Sequence, residues 1–145
     1  MRKILALVLS LCMLCSLCAA AAYADDAALL EYELGDTVED FTVELCDGTV
    51  VSLYEMLETK QLVMINVWAT WCSPCKAEFP IMEEAYNMYS DVVGLVCLSP
   101  YDSNEDVAAF MAKQGLNLPM GSDTIGADGF VLEGYPTTVI IDRVG

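Results

Sequence analysis

Histidine is absent from all 145 residues. That excludes Ser-His-Asp and Cys-His catalysis within the chain, and it removes the commonest transition-metal ligand. Basic residues are scarce. Against 22 Asp+Glu stand 6 Lys+Arg, for a formal net charge of −16 and a pI near 4.1. Such a chain repels phosphate backbones, which excludes nucleic acid as a partner. Internal repeats are lacking, and the length suits one domain. What is left for chemistry is carboxylate and sulfur, the latter in 7 cysteines.

The cysteines are not spread evenly. Arg2 and Lys3 precede an apolar run from Ile4 to Leu17, then Ala19 to Ala22, and Ala22-Tyr23-Ala24 is a small-x-small cleavage pattern. This is the three-part layout of a secretory signal peptide over residues 1–24. Cys12, Cys15 and Cys18 each follow a leucine, where a lipoprotein signal wants a small residue. Ile4 to Ala22 is just long enough to span a bilayer as an uncleaved anchor, but the cleavage pattern favours removal. Cleavage would remove two bases and no acid, taking the charge to −18, and would leave Cys46, Cys72, Cys75 and Cys97. Export puts these in a compartment where disulfides persist.

Asp25 to Asp40 is acidic with weak periodicity and reads as a solvated, mobile lead-in, with the domain itself over residues 36–145. Phe41 to Leu45 alternates, Asp47-Gly48 signals a turn and Thr49 to Val51 returns, which predicts a hairpin with Cys46 at its turn. Ser52 with Glu55 predicts a capped short helix over Leu53 to Leu57. Three apolar runs, Leu62–Trp68, Val92–Leu98 and Gly134–Asp142, predict buried strands. Between them, Phe79, Met82, Tyr86 and Tyr89 mark one helix. Ser103, Asp106, Val107, Phe110 and Gly115 mark another. Leu116 to Met120, interrupted by Pro119, suits an edge strand. Strand, helix, strand, helix, strand implies an α/β sheet with parallel pairing.

Cys72-Ser73-Pro74-Cys75 falls between a buried strand and a helix. A helix N-terminus offers unpaired N–H groups and a positive dipole end, both of which stabilise a thiolate. Pro74 suits the first turn, where its missing N–H matters least. Cys72, at the exposed edge, would attack a disulfide and Cys75, one turn inside, would resolve the mixed disulfide. A zinc site would need two more ligands, and only the isolated Cys46 and Cys97 remain. A purely structural disulfide here closes a tiny loop and gains little entropy. Cys97, inside an apolar run, reads as an inert core thiol.

The stretch Val67-Trp68-Ala69-Thr70-Trp71-Cys72-Ser73-Pro74-Cys75-Lys76-Ala77-Glu78-Phe79-Pro80 resembles the active-site segment of the TlpA/ResA-like branch of the thioredoxin superfamily, exported thiol-disulfide oxidoreductases with a redoxin (AhpC/TSA-type) domain. Gly134 to Asp142 resembles its cis-proline strand, and Phe41 to Leu57 its extra N-terminal hairpin and short helix. The resemblance implies a thioredoxin-like α/β fold with Cys72 as nucleophile, Cys75 as resolving thiol and Pro136 as the cis-proline. It implies that Glu78 lies near the thiols and affects their protonation, with a helix-dipole role as the plainer alternative. It further implies substrate contacts at Trp71, Ser73, Pro74, Tyr135 and Pro136. Lys76 could aid the thiolate or simply be solvated.

The function so implied is disulfide reduction outside the cytoplasm, on protein substrates such as the thiols of apocytochrome c. A membrane thiol transporter would supply electrons, no cofactor is needed and the chain is read as a monomer. The lack of a histidine between the cysteines favours reduction over oxidation. Two alternatives fit less well. A peroxiredoxin needs a threonine three residues before the nucleophile, where Ala69 stands. A copper chaperone of the same superfamily uses a histidine and a longer cysteine spacing. The branch normally continues past its cis-proline strand with an antiparallel strand and a helix, so the domain is expected to be C-terminally incomplete at Gly145.

Overall fold

The computed structural model describes residues 32–130 and 134–145. The expected leader, residues 1–24, and most of the expected lead-in, residues 25–31, lie outside them. In chain order come β1 (Thr42–Glu44), β2 (Val50–Ser52), α1 (Leu53–Thr59), β3 (Leu62–Val67), α2 (Ser73–Tyr89) and β4 (Val93–Ser99). They are followed by α3 (Asn104–Gln114), β5 (Met120–Ser122), a 3-10 turn (Ala127–Phe130) and β6 (Thr137–Asp142).

β1 and β2 form the antiparallel hairpin, and the main sheet has the order β5-β4-β3-β6. β3 pairs in parallel with β4, and β4 with β5, as the helical crossovers require. β6 departs from the expected parallel pairing: it runs antiparallel to β3, with Val67 opposite Thr137 and Leu62 opposite Asp142. The cause is in the connection. Between β5 and β6 the described residues hold a 3-10 turn and no α-helix that would carry the chain back to the start of the sheet, so β6 begins at the end where β5 stopped. Nor is β6 a doubly buried strand, because Thr138, Ile140 and Asp142 are exposed. β5 is an edge strand as expected, but it begins just after Pro119 rather than running through it.

The sheet separates two cores. On one face Val63, Ile65, Val67, Val96, Leu98 and Ile141 pack with Leu53 and Leu57 of α1 and with Val43 and Leu45 of the hairpin. On the other, Leu95 and Cys97 pack with Phe79 of α2 and Val107 and Phe110 of α3 around Trp68. Trp68 is fully buried, with Phe79 edge-on at 5.0 Å and Phe110 tilted at 4.9 Å between ring centroids. Each such side chain removed from water contributes about 1.5–3 kcal/mol, so this aromatic trio anchors both helices to the strand that leads into the cysteines.

Capping sets the helix limits. Ser52 Oγ accepts from Glu55 N and donates to the Asp40 carboxylate, which also accepts from Tyr54 N. Ser103 and Asp106 form a complete capping box, and Gly115 ends α3 in the left-handed conformation at φ +69°. The segment expected to be a solvated lead-in is docked from its later part: Val38 is buried, Asp40 caps α1 and Tyr32 stacks on Phe130. The apolar face expected along α2 is covered only in its first half. Cys75 and Phe79 are buried, while Met82 and Tyr86 line an open groove of about 330 Å³ with Met64, Glu78, Tyr89 and Leu95.

Candidate active site

The carboxyl end of β3 runs through Trp68 and Ala69 into a tight turn that delivers Cys72 as the N-cap of α2. Cys72 Sγ accepts a hydrogen bond from Cys75 N at 3.2 Å. The two sulfurs are bonded, with the Cα atoms 5.4 Å apart. Ser73 and Pro74 form the exposed outer surface of this first turn. The first turn of α2 carries no acidic residue, so nothing offsets its positive end at the sulfur. Cys72 was expected at an exposed edge, but only 3% of it is accessible, against 0% for Cys75. Its sulfur caps the helix end, and Cys72 lies within the core cluster against which Tyr135 packs.

Three rings, Trp71, Tyr101 and Tyr135, meet at this end. Trp71 is 62% exposed, unlike the core residue Trp68. Its ring lies 5.8 Å from that of Tyr101 and 6.0 Å from that of Tyr135, which in turn are 5.7 Å apart, edge to face. The Tyr135–Pro136 peptide bond is cis. β6 starts at Thr137, directly opposite the last residue of β3, so Tyr135 and Pro136 come to the same end of the sheet as Cys72. Trp71, Ser73, Pro74, Tyr135 and Pro136, named from the sequence, thus share that end.

Asp102 braces this end. It accepts from Thr70 N at 2.9 Å, Thr70 Oγ1 at 2.7 Å and Ser99 Oγ at 2.6 Å. Partial burial works against its charge, yet the hydrogen bonds from Ser99 and Thr70 prevail and hold its carboxyl below the usual range. The loop carrying Tyr101 is thereby tied to the residue before Trp71.

Glu78 falls in the second turn of α2, past the reach of a first-turn dipole role, and its Oε1 accepts from Asn66 Nδ2 at 3.0 Å. Asn66 is fully buried on β3 and also donates to Thr138 Oγ1 at 3.0 Å. Its Oδ1 has no hydrogen-bond partner among the described residues. Cys97 is opposite Asn66 in the sheet; burial, and then the charge of Glu78, pushes its thiol far up, as suits an inert core group. Cys46 is half-buried at the hairpin turn, free, with Sγ 3.4 Å from Met111 Sδ. Burial and the adjacent Asp47 raise its thiol as well. Lys76 Nζ lies 6.0 Å from the centre of the Phe110 ring.

Sequence reasoning missed Asn66, Thr138, Tyr101 and Asp102. Asn66 left a signal as the lone amide in an otherwise apolar strand. Tyr101 and Asp102 directly follow the carboxyl end of β4, where sites in α/β sheets gather. Thr138 left none.

A disulfide-bonded cysteine pair capping a helix, at the same end of the sheet as a cis-proline loop, points to a redoxin-type domain, and similarity to known proteins agrees. The model of the AhpC/TSA family matches residues 34–145, and the chain belongs to that family. It is 36% identical over 116 residues to the thioredoxin-like protein YneN of Bacillus subtilis, across 77% of this chain and 66% of that protein. It is 34% identical over 117 residues to the thiol-disulfide oxidoreductase ResA of the same organism, across 77% and 63%. The chain thus spans a little under two thirds of these relatives. A thioredoxin-family thiol:disulfide interchange protein from Chlorobium tepidum has a solved structure that superposes with a TM-score of 0.63 at 26% identity, covering 73% of this chain and 77% of that one. The fold is thioredoxin-like, with the added N-terminal hairpin.

Proposed function

We propose that the chain is a thiol-disulfide oxidoreductase that reduces protein disulfides outside the cytoplasm. The observation that carries this reading is the Cys72–Cys75 pair at the start of α2, with the Cys75 amide on the Cys72 sulfur. Relatives named as thiol-disulfide oxidoreductases support it.

In the reduced form, the helix end and the Cys75 N–H favour the Cys72 thiolate. That thiolate attacks one sulfur of a substrate disulfide. The substrate S–S bond breaks, its other sulfur leaves as a thiolate and takes up a proton, and a mixed disulfide forms. Cys75 then loses its proton and attacks Cys72 Sγ, which restores the Cys72–Cys75 bond and frees the second substrate thiol. Two electrons pass from the protein dithiol to the substrate. Glu78, three residues beyond Cys75 and fixed by Asn66, is the group suited to handle the Cys75 proton. Trp71, Ser73, Pro74, Tyr135 and Pro136 form the substrate face. A membrane thiol transporter returns the pair to its reduced state, apocytochrome c thiols are one substrate class, and residues 1–24 direct export.

The test is trapping. Cys75→Ser is expected to accumulate mixed disulfides through Cys72 that mass spectrometry identifies, and Cys72→Ser to form none. If Cys75→Ser yields no adduct under conditions where the wild type reduces a disulfide, the assigned roles are wrong. Consumption of peroxide at a rate exceeding disulfide reduction would favour a peroxidase instead.

A further inference from the structure

Large aromatic side chains left in water call for an explanation when they touch one another. Trp71 and Tyr101 are 62% and 61% exposed, and with Tyr135 they make a closed triangle of rings, centroids 5.7–6.0 Å apart. The Tyr135 hydroxyl donates to Tyr101 Oη at 3.2 Å, and Asp102 fastens the Tyr101 loop to Thr70. The cluster is therefore braced from two sides, and Trp71 is covalently next to Cys72.

Its electrostatics select a partner. Ring faces carry negative potential and attract cations. Among the described residues the cation recorded over a ring is Lys76, which sits over Phe110. Lys60 is engaged with Ser90 O and Arg143 with Lys60 O. The whole chain carries −16, so the approach of positive segments is favoured at long range as well.

We propose that Trp71, Tyr101 and Tyr135 form a recognition platform for a lysine or arginine side chain adjacent to the reacting cysteine of a polypeptide substrate. Tyr101 is the specificity-determining member that the sequence did not reveal. The inference rests on the oxidoreductase reading and names its substrate class.

The experiment uses pre-reduced protein and short acetylated peptides whose single cysteine is held as a pyridyl disulfide. Cys72 attacks the peptide sulfur, pyridine-2-thiol is released and read by absorbance, and Cys75 then frees the peptide thiol. The residue beside the cysteine is arginine, its neutral isostere citrulline, phenylalanine or glutamate. The arginine peptide is expected to react about two- to fivefold faster than the citrulline peptide below saturation, the range for an exposed cation over a ring. That ratio should collapse to near one in Tyr101→Ala and in Tyr101→Leu, whose net charge is unchanged, and persist in Tyr101→Phe. Equal rates for arginine and citrulline in the wild type would overturn the platform, as would a faster phenylalanine peptide or a ratio unaltered in Tyr101→Ala and Tyr101→Leu. Failure of every peptide to react through Cys72 would overturn the oxidoreductase reading itself, whereas reaction at equal rates would leave that reading standing and remove only the platform.

Discussion

Asp102 shows how much one side chain can hold. Its three hydrogen bonds join the turn before the cysteines to the loop after β4. Because its carboxyl titrates below its ordinary value when folded, its contribution is present above the unfolded value and is lost as pH falls through the lower folded one. Urea unfolding of the wild type and Asp102→Asn should therefore differ by about 0.5–1.5 kcal/mol at neutral pH, the figure being discounted for solvent screening, and the gap should narrow as pH falls from about 4 downward. Asn66 is a second such residue. Asn66→Ala strips Glu78 and Thr138 of their shared donor and is expected to cost about 1–3 kcal/mol, read as a lowered Tm. The two free thiols among the described residues make a third contrast. Peptide-resolved alkylation of the folded, oxidised protein should modify Cys46 slowly and Cys97 only after denaturation. At this scale the sequence was most legible where chemistry is concentrated in residue type, as in Cys72 and Cys75. It was least legible for Thr138, whose role arises from its register with β3, three strands earlier in the chain.

Elements were readable where local signals end them. Ser103, Asp106 and Gly115 bound α3 as the capping rules require, and the hairpin arises from its alternation and turn. Direction was not readable for β6. An apolar run carries no sign of its neighbour's orientation, and the deciding fact, a return with no α-helix among the described residues, lies in the connection. Contacts between elements were equally hidden. A Cβ on Gly121 would lie 3.1 Å from Glu44 O and from Leu45 Cα, so a larger residue here would push the hairpin off β5 by a few tenths of an ångström. Gly121→Ala is expected to loosen the hairpin by about 1–3 kcal/mol, seen as faster amide exchange at Cys46, which donates to Met120 O.

Across the whole molecule, the site collects at one end of the sheet because β3, β4 and β6 all bring loops there: the cysteines after β3, Tyr101 and Asp102 after β4, and the cis-proline before β6. The order of elements made this convergence legible, whereas the aromatic triangle required three loops to be placed in space. The Cys72–Cys75 bridge closes so short a loop that opening it should lower unfolding stability by no more than about 2 kcal/mol, measurable by denaturation with and without dithiothreitol. The bridge therefore contributes little scaffolding. Scaffolding falls to β3, the one strand of the main sheet with a hydrogen-bonded neighbour on each side along its full length. Amides of Ile65 and Val67 should be the last to exchange with deuterium, well after those of Tyr101 and Tyr135. The sulfurs thus hang from the slowest-opening part of the chain and the surrounding rings from faster ones. Loops of that kind can be recut from one lineage to the next to suit new clients, while the electron-carrying pair keeps its setting.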